Sequence, residues 1–265
     1  YGEVGINDLS VKMGHMTGIL GYEIVPPIGN FFYSHSYALC YSEPILITGL
    51  MGKYKLTDNW YVLGGFHRGF YMFEDWNNSL NFQGGTTWTG PEGRLSLAYA
   101  LDAGRNDPAD QSQQYVHSLV AKLQLTKKLL YVLQNDLGHA SNVAALGGRS
   151  AEWYGINQYL LYTINSKWAA GARVEWFRDD DGTRVGGLGS LGFQGWPAAG
   201  GYAGNFSEVT LGLNWKPKAN ISVRPEVRWD NYGGPASGAA PYPLPFGNGT
   251  RSDQFTLATD FMVTY

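Results

Sequence analysis

From Ile221 the chain reads ISVRPEVRWD, and apolar residues fall at every second position: Ile221, Val223, Pro225, Val227 and Trp229 on one side, Ser222, Arg224, Glu226, Arg228 and Asp230 on the other. A helix turns about 100° per residue and cannot sort side chains this way, whereas successive residues of a strand point to opposite faces. The pattern recurs. Val209, Leu211, Leu213 and Trp215 oppose Glu208, Thr210, Gly212 and Asn214, and Trp168, Ala170, Ala172, Val174 and Trp176 oppose Gly171, Arg173 and Glu175. Leu95, Leu97, Tyr99 and Leu101 form another such row, as do Tyr115, Leu119, Ala121, Leu123 and Leu125 against Ser118, Lys122 and Gln124.

Thirteen strands can be read, over about 1–6, 9–16, 45–56, 60–70, 80–90, 94–102, 114–126, 129–139, 149–164, 168–178, 205–215, 221–231 and 251–265. Several run to about ten residues, longer than the usual five or six of a soluble sheet. Short turns such as Asn7-Asp8, Thr57-Asp58-Asn59, Pro91-Glu92-Gly93, Lys127-Lys128, Asn165-Ser166-Lys167 and Lys216–Asn220 alternate with long connections over 17–44, 71–79, 103–113, 140–148, 179–204 and 232–250. One end of the sheet therefore carries the turns and the other the long connections.

Composition decides what the apolar face meets. Of the residues, 44% are hydrophobic, 15% aromatic and only 15% charged, against about a quarter charged in ordinary domains. A disordered chain needs high net charge and few aromatics, and a nucleic-acid binder needs a basic stretch; a net charge of −3 supplies neither. The longest apolar run is five or six residues, far short of the roughly 20 that a spanning helix needs. The lone Cys40 permits no intramolecular disulfide and no CxxC motif.

Three features favour lipid over a second sheet as the partner of the apolar face. Tyr54, Trp60, Trp88, Tyr131, Tyr162, Trp168 and Trp215 lie beside short turns, and Phe70, Tyr71, Trp176, Trp229, Tyr232 and Phe255 beside long connections, which reads as two interfacial girdles. The alternation of turns and long connections matches periplasmic turns and extracellular loops. The last strand, FTLATDFMVTY, alternates and stops at the aromatic Tyr265, like the ends of bacterial outer-membrane proteins. The expected fold is all-β: a single transmembrane, antiparallel, up-and-down barrel domain over residues 1–265. Lipid demands closure and bacterial barrels have even strand numbers, so 14 or 16 strands are expected, with 16 favoured and an ascending strand upstream of Tyr1. Such a barrel keeps an aqueous channel.

Residues 6–76 carry a family resemblance. Leu9, Val11, Gly14, His15, Gly21, Tyr22 and Glu23, then Asn30, Phe31, Phe32, Tyr33, Ser34, Tyr37, Glu43, Pro44 and Gly49, and more weakly Trp60, Gly64, Gly65, Arg68, Gly69 and Trp76, resemble the beta-barrel porin-2 family, its OmpL-like group. The resemblance is diffuse beyond. It implies an outer-membrane porin with further chain on the amino-terminal side, and names no solute.

Little in the chain suggests chemistry. Neither GxSxG nor HExxH occurs, and His15, His35, His67, His117 and His139 are scattered without ligand spacing. Asp179-Asp180-Asp181 beside Gly182 offers oxygen ligands for Ca²⁺ but lacks the twelve-residue loop ending in Glu, and reads as a solvated loop tip. No catalytic, cofactor or metal residue is assigned.

The polar face is more informative. Lys53, Lys55, Lys122, Arg173, Glu175, Glu208, Arg224, Glu226, Arg228, Asp230 and Asp260 are expected to line a lumen. They either set a transverse field, as charged ladders do in selective pores, or neutralise one another and keep the lumen wet. The connection 17–44, with Pro26-Pro27 and Phe31-Phe32-Tyr33, is too apolar for a free loop and is expected to pack into the lumen as a constriction or against a neighbouring protomer. The expected role is passive diffusion of small polar solutes or ions across a bacterial outer membrane, by a homo-oligomer, with a trimer favoured, in contact with lipid and lipopolysaccharide and not with nucleic acid. A scaffold barrel of little conductance is the alternative.

Overall fold

The computed structural model describes residues 1–107, 111–186, 200–237 and 242–264. Among the described residues thirteen strands form one sheet: β1 (Gly2–Ile6), β2 (Leu9–Thr17), β3 (Leu46–Thr57), β4 (Trp60–Phe70), β5 (Asn81–Thr89), β6 (Leu95–Arg105), β7 (Gln113–Gln124), β8 (Leu129–Val143), β9 (Arg149–Thr163), β10 (Trp168–Asp179), β11 (Gly204–Lys218), β12 (Ile221–Gly233) and β13 (Asp253–Val263). Each pairs antiparallel with its sequence neighbour, in the order β1 to β13. This is the up-and-down arrangement that period-two alternation and short turns dictate.

Parity assigns the two faces. On β10 the even residues Val174 and Trp176 are exposed, while Arg173, Glu175, Phe177 and Asp179 are buried. In-register pairing carries the division across the sheet, since Val174 faces Val209 and Glu175 faces Glu208. Leu211, Leu213, Trp229, Leu257 and Phe261 extend the exposed apolar face, and Glu208, Thr210, Arg224, Glu226 and Asp230 extend the buried polar one. This is the inverse of a soluble protein, whose exposed face is polar. One cluster joins Phe70 of β4, Val116 of β7, Trp153 of β9, Phe177 of β10, Phe206 of β11 and Tyr232 of β12. Strands that far apart in order share an interior only because the sheet rolls around it.

The turn-side girdle is in place. Tyr54, Trp60, Tyr162, Trp168 and Trp215 are all exposed on the apolar face, and Trp168 stacks across strands on Trp215 at 5.7 Å. At the other end the expectation needs correction. Trp176, Trp229 and Phe255 face outward, but Phe70 and Tyr232 are buried in the interior cluster and Tyr71 packs against it. Tyr232 lies three residues from outward Trp229, so parity turns it inward. Phe70 is turned by a bulge: Ile47 pairs with Phe70 and Gly49 with His67, so two steps on β3 span three on β4. The expected long connection 140–148 also shrinks, because β8 runs to Val143 and β9 starts at Arg149. The carboxy-terminal Tyr265 lies outside the described residues.

Candidate functional site

The site is the inward face of β8–β13 together with the connection between β2 and β3, residues 18–45. A strand-to-strand connection could arch over the rim. This one turns inward because the wall offers partners for its backbone. Glu226 of β12 accepts the N–H groups of Tyr33 (2.7 Å) and Ser34 (3.0 Å), and Glu175 of β10 accepts those of Tyr37 and Ala38, both at 2.7 Å. Guanidinium groups take the carbonyls. Arg224 donates to the oxygens of Pro27 (2.9 Å) and Asn30 (2.6 Å), Arg228 to that of His35 (2.6 Å) and Arg173 to that of Ser34 (2.8 Å). Farther along, Gln83 of β5 accepts the Ile19 N–H and Gln134 of β8 that of Tyr22. Charge-assisted bonds of this kind are about twice as strong as neutral ones, and they satisfy backbone groups that a buried loop would otherwise leave open.

The clamping charges also pair with one another. Arg173, with no exposed side-chain surface, holds Glu23 of the loop at 2.6 Å and Glu208 of β11. Arg224 is bidentate to Asp260 of β13. Arg228 binds Asp230 at 2.7 Å and lies 3.6 Å from Glu208. Of the eight wall charges on β10–β13 that the sequence picks out, Arg173, Glu208, Arg228 and Asp230 join one ion-pair network, Arg224 and Asp260 form a second pair, and Glu175 and Glu226 hold the loop backbone beside them. Opposite charges sit side by side on this wall and do not face each other across an open lumen. Lys53, Lys55 and Lys122 share the inward face but lie toward the turn end, apart from the clamp. Lys53 sits 4.4 Å above the Tyr61 ring, and Lys55 pairs with the turn residue Asp58 at 2.6 Å.

The loop aromatics divide. Phe31 and Phe32 lie on the inner wall, where Phe31 comes so close to β10 that a Cβ on Gly171 would sit 2.4 Å from its ring, and Phe32 within 3.0 Å of one on Gly212 of β11. Only glycine leaves room there. Tyr33 is 49% exposed although its N–H is held by Glu226.

Several members of the site escape the sequence reading. Glu23 is the acid that binds the loop to Arg173, and it also accepts from the Ser36 N–H and the Tyr159 hydroxyl. Burial alone would raise its pKa, but the Arg173 guanidinium, His35 and the Ser36 N–H outweigh this and hold it at about 2. Glu43 is shifted the other way, well above the ordinary carboxylate range, by burial first and by Asp136 of β8 second; the Gln134 amide bridges both acids. Burial pushes the Cys40 thiol up to about 12, which keeps it protonated. Gln134 and Asp136 do carry a signal, since both share the inward parity of Val132. Glu23 and Glu43 lie outside any strand period, and their only signal is that both fall among the positions of the family resemblance.

The Asp179–Asp181 run is not a cluster of free carboxylates. Asp179 accepts the N–H groups of Thr183, Arg184 and Val185, Asp180 holds Arg178, and Asp181 accepts the Glu152 N–H. Among the described residues no group of three His, Cys, Asp or Glu side chains stands where it could hold a metal ion.

Inward charge, an outward apolar face and an infolded connection are features of a pore wall, and comparison with known proteins decides the class. The model of the family described as "Putative beta-barrel porin-2, OmpL-like" matches residues 1–265. The chain belongs to this family. No match was found among curated proteins. As a family member it places the barrel in the bacterial outer membrane. Its fold is similar to the trimer form of OmpT, an outer-membrane protein of Vibrio cholerae, with a TM-score of 0.62 and 11% identity over 98% of this chain and 78% of that one. It is similar to the outer-membrane channel DcaP of Acinetobacter baumannii, with a TM-score of 0.57 and 11% identity over 86% of this chain and 66% of that one. OprB of Pseudomonas putida is a third, with a TM-score of 0.55 and 11% identity over 96% and 68%. At such identities the shared property is the porin-type barrel fold.

Proposed function

We propose that residues 1–265 form one barrel domain that acts as a passive diffusion porin, passing small polar solutes or ions along its inward face. The observation that supports this reading is the division of faces: Arg173, Glu175, Glu208, Arg224, Glu226 and Asp230 are buried while Leu211, Leu213, Leu257 and Phe261 of the alternate positions are exposed. Lys53, Lys55 and Lys122 line the turn-side half of the path. Arg173, Glu175, Glu208, Arg224, Glu226, Arg228, Asp230 and Asp260 line its middle and fix loop 18–45, whose Phe31, Phe32 and Tyr33 narrow it. Short turns face the periplasm and long connections the exterior, with lipid and lipopolysaccharide around the apolar belt. Such a pore needs no catalytic residue, cofactor or nucleic-acid partner. A homotrimer is favoured by family and by the trimeric form of the similar OmpT.

Purified protein in planar bilayers tests this. Stepwise, ohmic conductance is expected; a membrane that stays silent at every protein concentration contradicts the reading. The loop hydrogen-bonded across the inner wall favours one other role, a scaffold barrel that conducts little. Its mark is conductance that appears only after residues 22–42 are replaced by a short Gly-Ser turn.

A further inference from the structure

Every inward guanidinium of the clamp is balanced by a carboxylate, but the lysines at the turn end of β7–β11 are not. Beneath Phe31, at the turn end of β7–β11, lies a concave space of about 490 Å³ lined by Lys127, Lys128, Lys167 and Lys216 and by no Asp or Glu. Gln124, Leu130, Leu161, Ala169 and Asn214 line it, and each has the inward parity of its strand, so the space opens onto the inner face at its turn-side rim. Among the described residues none of the four lysines enters an ion pair; Lys128 spends one donor on the Ile164 carbonyl at 2.9 Å. Lys122 adds a fifth ammonium two residues beyond Gln124 on the same face. The remaining lining is neutral: Asn165, Ser166 and Thr163 are polar, and Tyr162 and Trp168 of the girdle border the space at the rim.

Like charges gathered in a concavity with low-dielectric walls focus their field and raise the local concentration of counter-ions. Screening limits such a field to about 10 Å at ordinary salt, so an ion must enter the space to feel it. We propose that this turn-side vestibule is a binding site for small multivalent oxyanions, carboxylates or phosphates bearing two or more charges. Several ammonium groups converge on such an ion, whereas chloride meets them singly. The proposal deepens the porin reading and rests on it for its meaning: solutes of this class are held at the inner mouth of the path.

The test compares wild-type protein with the combined variant Lys127→Gln, Lys128→Gln, Lys167→Gln and Lys216→Gln. All four residues are exposed, so the variant folds with little change in stability. In bilayers, citrate or inorganic pyrophosphate added on the turn side reduces wild-type current, and the concentration needed rises about tenfold in the variant as Coulomb attraction is lost. Block by either probe supports the site and shows which oxyanion it prefers. Steps that neither probe blocks, or that both block equally in wild type and variant, overturn the site and leave the porin reading standing. If neither protein gives steps, the porin reading fails, and titration calorimetry of pyrophosphate into the detergent-solubilised proteins decides the site alone. Heat seen only with wild type supports it, and equal or absent heat overturns it.

Discussion

Arg173 sits buried between Glu23 and Glu208 because neither acid could remain there alone. Taking charges out of water is costly, and removing one partner of such a set leaves the others uncompensated. Arg173→Leu is therefore expected to cost about 3–5 kcal/mol and to lower the temperature at which the folded band is lost on unheated gels, with Glu226→Gln milder because its amide oxygen still accepts from the loop. Glu23 predicts a pH dependence of definite sign. Its pKa is lowered from 4.5 to about 2. The stabilisation it gives is complete above the ordinary carboxylate value and is lost as pH falls through about 2. A shift of that size corresponds to about 3 kcal/mol of loop attachment. Pepsin cleavage at Phe31-Phe32, measured relative to an unfolded substrate at each pH, is expected to rise steeply over this window. In Glu23→Gln the loop is open throughout and the dependence flattens; unchanged steepness there would assign the effect to another group.

At the scale of elements, the strands are legible because their signal is local. Each face repeats every second residue, and the register passes unbroken from Trp168–Trp215 to Asp179–Gly204. Loop 18–45 is legible only in outline. Its apolar content points to an inward position, but its anchors lie far along the chain, Tyr33 to Glu226 across 193 residues, and no spacing rule connects them. Phe70 escapes for another reason, since one extra residue in β4 reverses parity and leaves no mark in composition. The loop also yields a prediction of its own. Gly171→Val places side-chain atoms where the Phe31 ring lies, so the ring must leave the wall. The expected result is a changed open-channel current with the folded barrel retained, read in bilayers and on unheated gels; identical currents would mean that Phe31 does not border the path.

Across the whole molecule, the account turns on which side of the rolled sheet meets hydrocarbon. Outward Val174 and Trp176 and inward Arg173 and Glu175 differ only by one step along β10, yet one pair is exposed and the other sealed. Everything else follows from that division: the girdle at the turns, the clamp on the loop and the uncompensated lysines at the inner mouth. The most direct measurement attaches a nitroxide label in turn to single cysteines at positions 170–177, in protein with Cys40→Ser reconstituted in lipid, and compares collisions with oxygen and with a water-soluble nickel chelate. Oxygen access, which reports lipid, should peak at 170, 172, 174 and 176 and fall at the positions between. A period of two in the opposite phase, or no alternation, would contradict it.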